Sequence, residues 1–207
     1  DWFLTDTLPI GHTLVKGVDV HAGSAALSEV DLQWGGRGPG IALTRTYSSG
    51  DGNELGSFGR GWNSDLDSRV ILGDCGEAFV IGAQGNGHAF RNPSGLPDGS
   101  NAWQAERGHH GSLIQRNGEF DFYAKDGTRY HFGERSTDAV RLSYIEDVNG
   151  NRVDYSYEAG AKGPRVVRVQ DGAGRQLLIS YRVLDSSTVQ SGVRIPKSVE
   201  VVSQIAG

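Results

Sequence analysis

The sequence predicts an all-β chain of consecutive antiparallel hairpins that form one continuous curved sheet. Three observations carry that expectation. Apolar and polar residues alternate with period two in one segment after another, the mark of half-buried strands. No comparable stretch shows the 3.6-residue period of a helix. The 31 glycines among 207 residues are about twice the usual share of roughly 7%, and many fall in turn-like clusters, where a positive φ costs glycine little.

The elements follow in chain order. Val30, Leu32 and Trp34 alternate with Glu29, Asp31 and Gln33. Ile41, Leu43 and Tyr47 share one face, with Arg45 as an odd charged member. A buried Arg is costly unless paired, so an ion pair with Asp65 or Asp67 is expected. Short apolar runs, Arg69 to Leu72 and Ala78 to Ile81, flank a Gly73-Asp74-Cys75-Gly76 turn. From Phe90 to Gly111 the density of Pro, Gly, Asp and Asn reads as a long loop, with a short strand around Trp103. Three regions result: 1–90, a β-rich opening; 91–111, a loop or linker; and 112–207, hairpin repeats.

The hairpins after the loop are paced by turn dipeptides. Asp126-Gly127 and Asn149-Gly150 suit type I′ turns, which need positive φ at both central residues. Asp171-Gly172-Ala173-Gly174 opens the next hairpin. Asp147, Gly150 and Tyr157 recur in spacing as Asp171, Gly174 and Tyr181, and the unit from Asp126 to Phe132 is a looser copy. A lone hairpin is marginal in water, so repeated hairpins are expected to stack side by side.

These repeats resemble the tyrosine–aspartate (YD) repeats of the rearrangement-hotspot (Rhs) family. The upstream half is similar as well. Val18-Asp19-Val20-His21-Ala22-Gly23, Leu27 and Val30-Asp31-Leu32 resemble the strands that open that family's core. Leu43-Thr44-Arg45-Thr46-Tyr47-Ser48-Ser49 and Phe58-Gly59-Arg60-Gly61-Trp62 are the most specific pieces. Asp126-Gly127-Thr128-Arg129-Tyr130-His131-Phe132 and Asp147-Val148-Asn149-Gly150-Asn151-Arg152 resemble the repeats that follow. The resemblance spans about residues 16 to 181, leaving 1–15 and 182–207 unassigned. It implies the start of an Rhs-type β-shell, a structural module of a bacterial polymorphic toxin whose repeats enclose a C-terminal toxin domain. The implied setting is secreted or cell-surface. The implied partners are downstream YD repeats and the toxin domain of the same parent protein. With no Met at its start or elsewhere, the chain reads as a fragment or processed piece.

Composition narrows the function classes. A formal charge of −5 argues against nucleic acid, whose affinity comes mainly from basic surface. No transmembrane run is present, and no membrane insertion is expected. Cys75 is the single cysteine, so no internal disulfide forms and no zinc spacing exists.

No catalytic, cofactor-binding or metal residue is expected, and no enzyme activity. The glycine-rich Gly35-Gly36-Arg37-Gly38-Pro39-Gly40 is followed by a strand, where a phosphate-binding loop needs a helix. Asp51-Gly52-Asn53-Glu54 and Asp65-Leu66-Asp67 lack the full calcium-loop pattern. Glu119, Asp121, Glu146 and Asp147 read as an outward polar face, although paired carboxylates can hydrolyse glycosides. His12, His21, His88, His109, His110 and His131 form no HExxH, and His109-His110 reads as solvent-exposed. The rival to a shell segment is a standalone binding module that recognises a glycan or surface protein through exposed Trp34, Trp62 and Trp103; Trp62 is instead expected to be a packing anchor. The apolar, β-branched stretch from Val193 to Val202 is expected to leave an open edge strand that recruits another strand.

Overall fold

The computed structural model describes residues 14–15, 18–19, 24–50, 55–83, 85, 87–108, 110–160, 163–183 and 194–202. The architecture is all-β, and one 3₁₀ turn, Asp65–Asp67, is the helical element among the described residues. The strands are β1 (Leu14–Val15), β2 (Val18–Asp19), β3 (Ser24–Trp34), β4 (Ile41–Ser48), β5 (Leu55–Gly56), β6 (Gly59–Arg60) and β7 (Trp62–Ser64). After the 3₁₀ turn come β8 (Arg69–Leu72), β9 (Glu77–Ile81), β10 (Gly87–Gly95), β11 (Asn101–Ala105), β12 (Ser112–Arg116), β13 (Glu119–Tyr123) and β14 (Arg129–Arg135). The chain continues with β15 (Val140–Glu146), β16 (Arg152–Glu158), β17 (Arg165–Asp171), β18 (Gln176–Val183) and β19 (Arg194–Val202).

Every pairing is antiparallel, as consecutive hairpins require, but the sheet does not simply run on. Strands β8 to β15 close on themselves, because β15 pairs with β14 on one side and with β8 on the other. The result is an eight-stranded barrel, filled by inward residues from every strand: Val70, Ala78, Val80, Phe90, Trp103, Leu113, Phe120, Phe122, Phe132 and Leu142. Each fully buried side chain of this size contributes about 1.5–3 kcal/mol.

Strand β15 is the branch point. Its first half closes the barrel, with Val140 opposite Val70 and Arg141 opposite Arg69. Its second half, Tyr144 to Glu146, pairs with β16, and β16 to β19 continue as an open strip. A separate sheet, in the order β1-β2-β3-β4-β7, packs on that strip. Ile41, Leu43 and Leu66 meet Val153, Val166, Val169, Leu177 and Ile179 in a second core.

Two expectations are corrected here. The stretch 91–111 is not a loop or linker. It carries the end of β10 and all of β11, paired to each other and to β9 and β12. Pro93 fits because the β10–β11 register slips between Arg91 and Ser94, so no ladder donor is needed from it. The strand expected around Trp103 is β11. Likewise, Asp126-Gly127 and Asn149-Gly150 are not type I′ turns, since Asp126 and Asn149 do not have positive φ. Each belongs to a five-residue turn closed by two backbone hydrogen bonds. In one, Ala124 N–H donates to Thr128 O and Gly127 N–H to Ala124 O; in the other, Asp147 N–H donates to Asn151 O and Gly150 N–H to Asp147 O. Only the glycine is left-handed, the pattern of a turn followed by a glycine bulge. The turn with both central residues left-handed is Asn117-Gly118, at φ 53° and 79°, joining β12 to β13.

Candidate functional site

The repeats form a geometric unit with a 24-residue step. In the first copy the Asp147 carboxylate accepts the N–H groups of Asn149 (2.8 Å) and Asn151 (2.9 Å), and the Asn151 amide at 2.7 Å. In the second, Asp171 accepts the N–H groups of Ala173 (3.0 Å) and Arg175 (2.9 Å), and Arg175 Nε–H at 2.6 Å. An aspartate at the head of each turn thus gathers the donors that the turn leaves free. For Asp147 these bonds, led by that from Asn151, hold the carboxyl below its ordinary pKa.

The tyrosines close the other end of each hairpin. Tyr157 Oη–H donates to Leu142 O at 2.6 Å and Tyr181 Oη–H to Val166 O at 2.8 Å. In both copies the strand ladder has already stopped, after Tyr144 opposite Asp154 and Arg168 opposite Leu178. The hydroxyl serves a carbonyl that the splaying strands no longer pair. Burial pushes both phenols well above their ordinary pKa. The guanidinium of Arg165 lies 4.6 Å from the Tyr181 ring centroid.

The glycine-rich loop between β3 and β4 rests on these turns. Arg175 Nη1–H donates to Gly35 O at 2.8 Å, and its guanidinium sits 5.7 Å from the Trp34 ring centroid. Gly38, at φ 85°, approaches the first turn so closely that a Cβ there would lie 2.2 Å from Asn151 Cβ. The loop bears no phosphate-binding helix. Its glycines admit the side chains of two successive repeat turns.

Arg45 pairs with Asp31, not with Asp65 or Asp67. Its Nη2–H donates to Asp31 Oδ1 at 2.6 Å, and Nε–H bonds the other oxygen. The reason is a bulge: the β3–β4 register slips between Val30 and Leu32, which frees Asp31 to turn toward Arg45. Phe58 and Trp62 cover the guanidinium, with ring centroids at 5.2 and 5.3 Å. Asp67 instead accepts Ser57 N–H (2.8 Å), Ser57 Oγ–H (2.6 Å) and Ser64 Oγ–H (2.6 Å), tying the Phe58–Trp62 turn to the 3₁₀ turn.

The other candidates separate. Asp121 is buried between Arg129 (2.8 and 3.0 Å) and His131 Nδ1 (2.8 Å), with Glu119 at 3.6 Å from His131 Nε2. Asp147 is occupied in its turn, so the four carboxylates do not converge. Among the described residues no group of three or more His, Cys, Asp or Glu is placed to hold a metal ion. Cys75 is exposed in the β8–β9 turn, and His110 is exposed. Trp103 is buried, while Trp34 and Trp62 are half-buried. His12, His21, His109 and Asp51 to Glu54 lie outside the described residues.

Sequence reasoning missed a cavity of about 110 Å³ at one end of the barrel. Phe122, Tyr130, Phe132, Leu142, Ile145 and Tyr155 line it together with Asp65, Ser68 and His88. Asp65 accepts Thr44 N–H at 2.6 Å. Burial pushes its carboxyl up to about 6, against the opposing pull of that bond. No local signal marked this site, because seven separate segments build it.

This all-β fold is similar to that of several solved chains. The N-terminal domain of the effector SpvB from Salmonella typhimurium has this fold, at 14% identity and TM-score 0.54 over 82% of this chain and 83% of that one. So does a chain of the Photorhabdus luminescens Tc holotoxin pore, at 15% identity and TM-score 0.55 over 95% of this chain and 14% of that one. TcdB2-TccC3 without its hypervariable C-terminal region gives 16% identity and TM-score 0.54, over 91% and 13%. In sequence, residues 16–90 match the family described as Domain of unknown function (DUF6531). Over 135 residues the chain is 32% identical to the tRNA nuclease WapA of Bacillus subtilis and to the tRNA3(Ser)-specific nuclease WapA of Bacillus spizizenii. That stretch is 65% of this chain, which spans about 5% of the length of those relatives. Over that stretch the chain is similar in sequence to the WapA proteins, and its all-β fold is similar to that of the solved chains above.

Proposed function

We propose that this chain is the opening segment of an Rhs-type β-shell, a structural part of a longer toxin that encloses a C-terminal toxin domain. The observation that carries this reading is the 24-residue unit, in which one aspartate orders each turn and one tyrosine caps a carbonyl at the far end. Such a unit stacks without a fixed number of copies. The likeness in fold to Tc toxin chains supports the reading, as does the sequence relation to WapA. The segment contributes no chemistry of its own; the nuclease activity in the relatives' names belongs to proteins of which this chain matches about 5%. It works outside the producing cell or at its surface, and no described helix is long and apolar enough to cross a membrane.

Further repeats of the same parent chain pair with the open side of β19, and without them this edge draws two copies of the chain together. Light scattering on the isolated chain tests the edge: a strict monomer with no affinity for its continuation refutes it. Limited proteolysis of the full parent polypeptide tests enclosure. Its C-terminal domain resists protease when this segment is present and is cut once the segment is deleted; equal susceptibility refutes the proposal. A standalone binding module would need an aromatic platform, and Trp34, Trp62 and Trp103 are all turned at least half inward.

A further inference from the structure

The barrel-end cavity combines features that packing alone does not require. Asp65 is partly buried, and its carboxylate accepts Thr44 N–H at 2.6 Å. Among the described residues that line the cavity there is no Lys or Arg to stand opposite it. An ionised carboxylate taken out of water without a counter-charge is costly. Around it stand the rings of Phe122, Tyr130, Phe132 and Tyr155, and aromatic faces attract cations. The volume, about 110 Å³, exceeds what one water fills and approaches the ~150 Å³ of a cavity that takes up benzene.

We infer that this cavity binds a small organic cation, an alkylated or methylated ammonium group, held by the Asp65 carboxylate against the surrounding aromatic rings. The charge supplies what Asp65 lacks, and the alkyl surface replaces water along the apolar wall. The inference is independent of the shell reading, because it concerns only a cavity lined by barrel strands, the 3₁₀ turn and β16 of this chain.

The probe is tetramethylammonium, added to the isotope-labelled chain and followed by NMR, with sodium chloride at equal ionic strength and neutral tert-butanol as controls. Saturable shifts of the Tyr130 and Tyr155 rings are expected with tetramethylammonium and not with sodium chloride. Asp65→Asn keeps an acceptor for Thr44 N–H and removes the charge. It should weaken tetramethylammonium binding more than about tenfold, the scale of one charged contact, and leave tert-butanol unaffected. On the unaltered chain, binding should be stronger near about pH 8 than near about pH 5, where Asp65 takes up a proton; His88, Tyr130 and Tyr155 are the other titratable groups on the lining. Shifts no larger than those from sodium chloride overturn the inference and leave the cavity to water. Equal affinity in Asp65→Asn, or at the two pH values, also overturns it.

Discussion

Gly38→Ala tests whether the opening sheet sets the position of the repeats. The added Cβ would lie 2.2 Å from Asn151 Cβ and 3.0 Å from both Asn151 Cγ and Asp147 Oδ2. No rotation of a flexible tip relieves the first contact, because it falls at the root of the Asn151 side chain. The φ of 85° adds about 1–2 kcal/mol for a residue bearing a Cβ, and overpacking adds about 1–3 kcal/mol. A loss of roughly 2–5 kcal/mol is a large part of the 5–15 kcal/mol that holds a typical domain. Urea unfolding followed by tryptophan fluorescence measures it. The control is Gly35→Ala, where the added Cβ meets nothing within 4 Å and the midpoint should barely move. The double variant Gly38→Ala with Asn151→Gly should recover the packing part of the loss and keep the backbone part. If Gly38→Ala unfolds at the same urea concentration as Gly35→Ala, the loop does not rest on the repeat turns and the argument fails.

The remaining predictions concern single groups. Asp65 has a folded pKa raised to about 6 from 3.8, so its contribution favours the fold at low pH and is lost as pH rises from 3.8 through about 6. The span is about 3 kcal/mol at most; stability profiles of the chain and of Asp65→Asn should diverge across that window, and parallel profiles would refute it. Tyr157→Phe and Tyr181→Phe each leave one carbonyl unserved, at about 1 kcal/mol apiece. Amide exchange should quicken around the affected hairpin, and unchanged exchange in both would count against the capping role. Trp62→Ala should cost about 2 kcal/mol, below the 3–5 kcal/mol of a fully buried ring, because Trp62 is half-buried over Arg45 and beside Tyr47 at 5.3 Å. A melting temperature that does not move would make it a surface residue.

What the sequence showed and what it hid divide along local and non-local physics. The hairpins, and the repeat linking Asp147 and Tyr157 to Asp171 and Tyr181, were legible because each is written within a few tens of residues. The turn type was not, because Asn-Gly serves both a type I′ turn and a glycine bulge; the Asp two residues before Asn149 is what selects the bulge here. Arg45 was recognised as needing a partner, but the partner was misassigned, since a bulge at Asp31 changes the face of one residue without disturbing the alternation around it. In the same way Pro93 looked like a linker residue while sitting at a register slip inside a sheet. Barrel closure joins Val70 to Val140, residues far apart in the chain with no motif at either end, and the cavity behind Asp65 exists only once that closure is made.

The closure also gives the strip a direction. Within β8 to β15 each strand has a neighbour on both sides, so the barrel offers no long free edge, and closure is what removes edges in β proteins. The exception is built into β15. Two residues, Val140 and Arg141, close the barrel against β8, and Leu142 N–H still reaches Ser68 O at 3.2 Å. The strand then departs from β8, and Tyr144 to Glu146 accept β16 in its place. The carbonyl stranded at the fork, Leu142 O, is the one that Tyr157 caps. The first tyrosine of the repeat therefore seals the point where barrel becomes strip, and Tyr181 repeats the same bond one unit later, where β17 and β18 part. One face of the new strip is meanwhile covered by β3 and β4, whose core residues Ile41 and Leu43 are 0% and 2% exposed. With the barrel at its root and a sheet across one face, the strip is left, among the described residues, with β19 as its terminal strand.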